Sequence, residues 1–141
     1  MGVRKLVLGF LLLGICVPAQ ARPLPRYGLF VYSSLCWEKQ SGDANGGRFI
    51  LVRVPGSDFA EVNYTGEGGL DGAPAEDLKI DKDGRVSFRY LSQYDPVSGR
   101  SNVYVTVTGT LSAESFVQTG RDGNPVRTPR VRPNQRIPVC R

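Results

Sequence analysis

The sequence predicts an all-β fold: a small antiparallel meander of six to eight strands, closed as a β-barrel or folded as a β-sandwich. Three observations predict it. Apolar and polar residues alternate at period two along most of the chain; Gly, Pro, Asn and Asp cluster between the alternating runs; and no stretch after residue 22 carries the apolar spacing of an amphipathic helix.

The chain opens with Arg4 and Lys5 ahead of an apolar run from Leu6 to Val17, then Ala19-Gln20-Ala21. This is the pattern of a secretory signal peptide over residues 1–21, cleaved after Ala21. The run is too short to span the ~30 Å hydrocarbon core of a bilayer. No later stretch reaches transmembrane length, so residues 22–141 are expected as one soluble, exported β-domain, periplasmic or secreted and of bacterial type. Leu13-Gly14-Ile15-Cys16 resembles a lipobox, but Ile15 stands where that motif takes a small residue, so Cys16 is expected to leave with the signal.

Each strand candidate follows from local pattern. "YGLFVYS" near the expected mature start is the first, and "GRFILVRV" is apolar on both faces except at Arg53, which suits a strand covered on both sides. Pro55-Gly56 turns the chain, and "DFAEVNY" returns with Ala60, Val62 and Tyr64 on one face. Leu78 and Ile80 pair through Asp83-Gly84 with "RVSFRYL", whose Val86, Phe88 and Tyr90 point inward. A Pro- and Gly-containing loop leads to "NVYVTVTGTL", the clearest strand, in which Gly109 predicts a bulge or bend. Two segments look irregular. Residues 65–76 hold four glycines and read as a mobile loop, and Ala73 to Lys79 offer at most a turn or two of helix. Residues 119–139 hold four prolines, which disfavours a central strand and predicts an extended segment laid over the body.

With Cys16 removed, Cys36 and Cys140 are the remaining cysteines of a chain bound for an oxidising compartment, and a disulfide between them is expected. It closes a loop of about 100 residues, for which chain entropy gives about 4 to 5 kcal/mol. Trp37, the sole tryptophan, should pack beside the bridge or a barrel end, and Glu38 should face water. The chain has no histidine. That removes the Ser-His-Asp triad, the usual activator of a catalytic cysteine and most zinc sites, so no metal or cofactor is expected.

Charge is segregated. Eight carboxylates lie between Asp58 and Asp83, and six arginines follow from Arg121 onward, in a chain of net charge +5. Arg127, Arg130 and Arg132 are candidates for anionic partners, including envelope polymers, while Glu67 and Asp71 form a candidate loop for a cation or partner. The arginines carry no interleaved aromatics, which argues against nucleic acid; the bland expectation is that they pair with the acidic middle of their own chain. A glycosidase-like carboxylate pair is not singled out by spacing. Asp81-x-Asp83-Gly84 fails as an EF-hand, since Lys79 and Tyr90 would occupy the first and twelfth positions. Asn63-Tyr64-Thr65 fits the glycosylation sequon, a triplet common by chance.

The meander resembles calycin-type barrels, although the lipocalin Gly-x-Trp signature is absent, because Leu35 and Cys36 precede Trp37. Size, export and a terminal disulfide are similar to small-barrel bacterial lysozyme inhibitors, over Ser98-Gly99 and Tyr104 alone. Neither assigns a family. The expected function is binding without catalysis, through an open barrel end or a charged loop that engages a protein or small ligand, as an inhibitor or envelope accessory factor would. The alternatives are a self-assembling envelope protein and, behind it, a carboxylate-dependent carbohydrate-active enzyme.

Overall fold

The computed structural model describes residues 22–66, 69–95, 99–120 and 122–141. Residues 1–21, where a signal peptide is expected, with Cys16 among them, and Glu67, Ser98 and Arg121 lie outside the described residues. The rest is strand and turn, with no helix among the described residues, and hence none long and apolar enough to cross a membrane. In chain order the strands are β1 (Gly28–Ser33), β2 (Cys36–Trp37), β3 (Ala44–Asn45), β4 (Gly47–Val54), β5 (Ser57–Gly66) and β6 (Gly69–Pro74). They continue with β7 (Glu76–Ile80), β8 (Arg85–Asp95), β9 (Arg100–Leu111), β10 (Ser115–Thr119) and β11 (Pro125–Val131).

Nine of them form one antiparallel sheet in the order β6-β5-β4-β1-β11-β10-β9-β8-β7, while β2 and β3 pair separately. The sheet is not a closed barrel, because no ladder joins β6 to β7. Those two end strands are nevertheless consecutive in the chain, separated only by Ala75. Ala75 N–H still reaches the Ala60 carbonyl of β5 at 2.9 Å, and the chain then bends at Asp77, with φ of 53°, to join β8. One bent segment therefore leaves one edge of the sheet and forms the other, which brings the edges together and curls the sheet around its core.

The core occupies the concave side. Phe30 and Tyr32 of β1 and Phe49 and Leu51 of β4 meet Val86 and Phe88 of β8, Leu111 of β9 and Phe116 of β10. These are the inward positions of the period-two runs, as pleating requires. Tyr32 is fully buried, and its hydroxyl donates to the Ser112 carbonyl at 2.7 Å. Burial pushes its pKa up to about 12, with Arg130 and Arg53 pulling in the opposite direction.

Several sequence expectations need correction. Residues 69–74 form edge strand β6, paired along Glu61↔Pro74 to Gly66↔Gly69, where a loop was expected. The predicted turn of helix over 73–79 is strand on both sides of Ala75. β11 is interior to the sheet despite Pro125 and Pro129, and its backbone polarity explains why. Arg130 N–H bonds the Glu114 carbonyl, so even-numbered residues of β11 direct their N–H groups to the β10 side. The prolines stand at odd positions facing β1, and β1 pairs only with Arg130 and Val131, so the missing donors interrupt no ladder.

Gly109 marks close approach and no bulge. The ladders run through it on both sides, and a Cβ there would lie 2.7 Å from Phe116 Cε2 and nearer still to the Val117 carbonyl. β4 is central, as its apolar run predicts, but Val52 and Val54 on its outer face are exposed. The Asp83-Gly84 turn forms as expected, with Gly84 at φ 80° and the Asp81 carboxylate accepting the N–H groups of Asp83 (2.8 Å) and Arg85 (2.9 Å). Those residues, which suggested calcium, serve the hairpin.

Candidate functional site

The inward side chains of β4 and β5 and those of β8 to β11 do not fill the space between them completely. They line a cleft of about 460 Å³ whose base is aromatic. Phe49 stacks on Phe88 with centroids 5.0 Å apart and lies 5.1 Å from Phe116. Tyr64 and Tyr90 sit 5.5 Å apart. The Tyr64 hydroxyl accepts the Gln93 N–H at 3.1 Å and donates to the Leu91 carbonyl at 3.5 Å, so a β5 side chain ties the backbone of β8 across the opening.

Polar residues surround the aromatic base, with Ser34, Arg48, Asn63, Thr106, Gln118, Thr119 and Thr128 among the walls and no carboxylate among the described residues. Asn63 donates to Glu61 Oε1 at 2.6 Å, which fixes its amide. A concavity with an aromatic base and hydrogen-bonding groups around it suits a small ligand with an apolar body, or an inserted side chain.

The sequence-derived sites distribute differently. Cys36 and Cys140 form the disulfide, with Cα atoms 4.9 Å apart. Trp37 lies beside it as expected, its N–H donating to the Pro138 carbonyl (2.7 Å) and its carbonyl accepting the Cys140 N–H (2.8 Å), yet its side chain is 43% exposed. Glu38 is exposed as expected.

Arg127, Arg130 and Arg132 do not gather on one face. Pairing of β11 with β10 sets Arg127 opposite Val117 on the outer side, whereas Arg130 lies opposite the inward Tyr32. The Arg130 guanidinium covers the Phe30 ring at 4.8 Å and bonds the Ala113 carbonyl at 3.2 Å, a packing role. Arg132 lies just beyond the strand in the Arg132–Gln135 turn. Asp71 sits on β6 opposite Tyr64, half-buried, on a strand where a loop was expected.

Asp58, Glu76 and Asp77 of the acidic middle pair with arginines nearer than the tail. Asp58 takes a two-point contact from Arg53 (3.0 and 3.3 Å). Arg89 reaches Asp77 at 2.9 Å and Glu76 at 3.4 Å, and stacks over Tyr104 at 4.6 Å. Among the described residues no arginine of 127–141 forms an ion pair, so the expected folding of a basic tail onto the acidic middle is not what holds it. Asp122 is bound locally: the Asn124 side chain and backbone N–H hold its carboxyl below the usual range. No three His, Cys, Asp or Glu side chains among the described residues form a group that could hold a metal.

No protein-family model, curated protein or solved structure matches the chain.

Proposed function

We propose that this is an exported binding protein without catalytic activity, a half-open barrel that takes an apolar small ligand or a partner's side chain into the aromatic cleft. The observation that carries this reading is the cleft itself, walled by Phe49, Phe88, Phe116, Tyr64 and Tyr90 and reached at an end of the sheet where no carboxylate lines it. The Cys36–Cys140 disulfide favours an oxidising compartment, in keeping with the signal-like start of the chain. N-phenyl-1-naphthylamine, an apolar fluorescent probe, tests the reading. One saturable site is expected in the native protein, weakened at least tenfold by Val105→Trp, which fills the cleft. Absence of saturable binding, or binding indifferent to that substitution, would remove the proposal.

A second reading, self-association, draws on a different face. Leu29, Val52 and Phe59 align across β1, β4 and β5 on the outer side, exposed by 43, 36 and 61%. A two-fold axis over Val52 would set Leu29 of one copy against Phe59 of the other. Sedimentation of the protein and of Phe59→Ser tests it; a monomer at all concentrations refutes it.

A further inference from the structure

The segment after β11 does not lie flat on the sheet. It returns along β2, held by the Trp37–Pro138 and Cys140–Trp37 hydrogen bonds, by a parallel bridge between Trp37 and Val139, and by the disulfide. Between this strap and the residues at the ends of β1, β4 and β11 lies a groove of about 590 Å³. Arg48, Arg136 and Arg141 line it, together with apolar side chains such as Leu35 and Ile137, and no Asp or Glu is among its walls. Arg48 Nε is buried without a hydrogen-bond partner. A buried cationic donor left unpaired is costly, and three guanidinium groups sharing one groove repel one another. One oxyanion relieves both, because a guanidinium presents its N–H groups in a fork that fits carboxylate or phosphate oxygens.

We infer that this groove is an oxyanion-binding site, receiving a carboxylate or phosphate group carried on an apolar body that lies along Leu35 and Ile137. The site is independent of the aromatic cleft, and Arg136 separates the two. Arg48 borders both cavities, whereas Arg136 lines only the groove. The disulfide is part of the site, since it holds one wall against the other.

Trp37 supplies the readout, being the sole tryptophan and bonded through its backbone to the strap. Its fluorescence, with calorimetry in parallel, is followed on titrating the native full chain with decanoate and, separately, with inorganic phosphate. The expected result is one decanoate site per chain, weakened at least tenfold by Arg136→Gln and by Arg48→Gln, and unchanged by Val105→Trp. Arg136 is exposed on the strap, so its substitution leaves the core intact even if Arg48→Gln perturbs folding. Decanoate binding tighter than phosphate is the expected order; phosphate binding without decanoate binding overturns the apolar body along Leu35 and Ile137 and leaves a free-anion site. Failure of both ligands to bind overturns the inference, as does binding that survives Arg136→Gln. Loss of decanoate binding in Val105→Trp alone would overturn it by placing the ligand in the cleft.

Discussion

Tyr32 gives the sharpest test of how the core is held. Tyr32→Phe keeps the ring between Phe49 and Phe116, each 6.3 Å away, and removes only the hydroxyl that bonds the Ser112 carbonyl. Leaving a buried carbonyl without its donor costs about 1–3 kcal/mol, so near pH 9 the variant should be less stable by roughly that amount. The pH dependence works in the opposite direction. The folded pKa of Tyr32 is raised from 10.0 to about 12, so its contribution is fully present below pH 10 and is lost as pH rises toward the folded value. At about 1.4 kcal/mol per unit, the native protein should lose roughly 2 kcal/mol through this residue between about pH 10 and 11.5. Tyr32→Phe has no such group to ionise. The stability gap between the two proteins should therefore shrink over that range and approach zero or reverse. Urea unfolding of both at matched pH measures it, and a gap that stays constant from pH 9 to 11.5 would refute the assignment of a buried, neutral phenol.

Other outcomes follow from single contacts. Gly109→Ala places a methyl group against the Val117 carbonyl and the buried Phe116 ring, and should destabilise by about 1–3 kcal/mol in urea titration. Reducing the disulfide, whose cysteines are 104 residues apart, should lower stability by about 2–5 kcal/mol, and an unchanged urea midpoint would count against a structural role. Asp81→Ala removes the acceptor for two backbone N–H groups and should cost about 1 kcal/mol, with faster hydrogen exchange at Asp83 and Arg85 as the local signature. Lowering pH through the depressed Asp122 range should weaken its bonds to Asn124, seen as shifted Asn124 amide resonances, whereas Asp122→Asn should show no such acid transition.

The candidate site was less legible than the fold. Phe88, Val105 and Val107 are inward by alternation alone, so part of the cleft wall is legible in the sequence. What alternation does not carry is which inward rows face one another. Tyr64 and Tyr90 are in different hairpins, and only the curl of the sheet sets them 5.5 Å apart. Arg48 carries no sequence signal, because one charge at the start of an apolar run is indistinguishable from a strand end. Its importance depends on the strap that arrives from 88 residues later and shares a groove with it.

By itself, then, the sequence determined the local terms. Period-two patterning set the all-β class and the inward residues, and Asp83-Gly84 set a hairpin through its turn chemistry. The Cys36–Cys140 pairing was also reachable, from the number of cysteines and the expected compartment. Tertiary structure decided the terms that depend on what lies beyond a strand's own neighbours. It placed proline-bearing β11 inside the sheet, because the donors that proline lacks point where β1 does not reach. It made β6 and β7 the two edges of one sheet, because Asp77 bends a single segment between them. It also scattered Arg127, Arg130 and Arg132 while bringing Arg48 to Arg136 and Arg141, since side-chain direction and the path of the strap, not spacing along the chain, determine which charges share a surface.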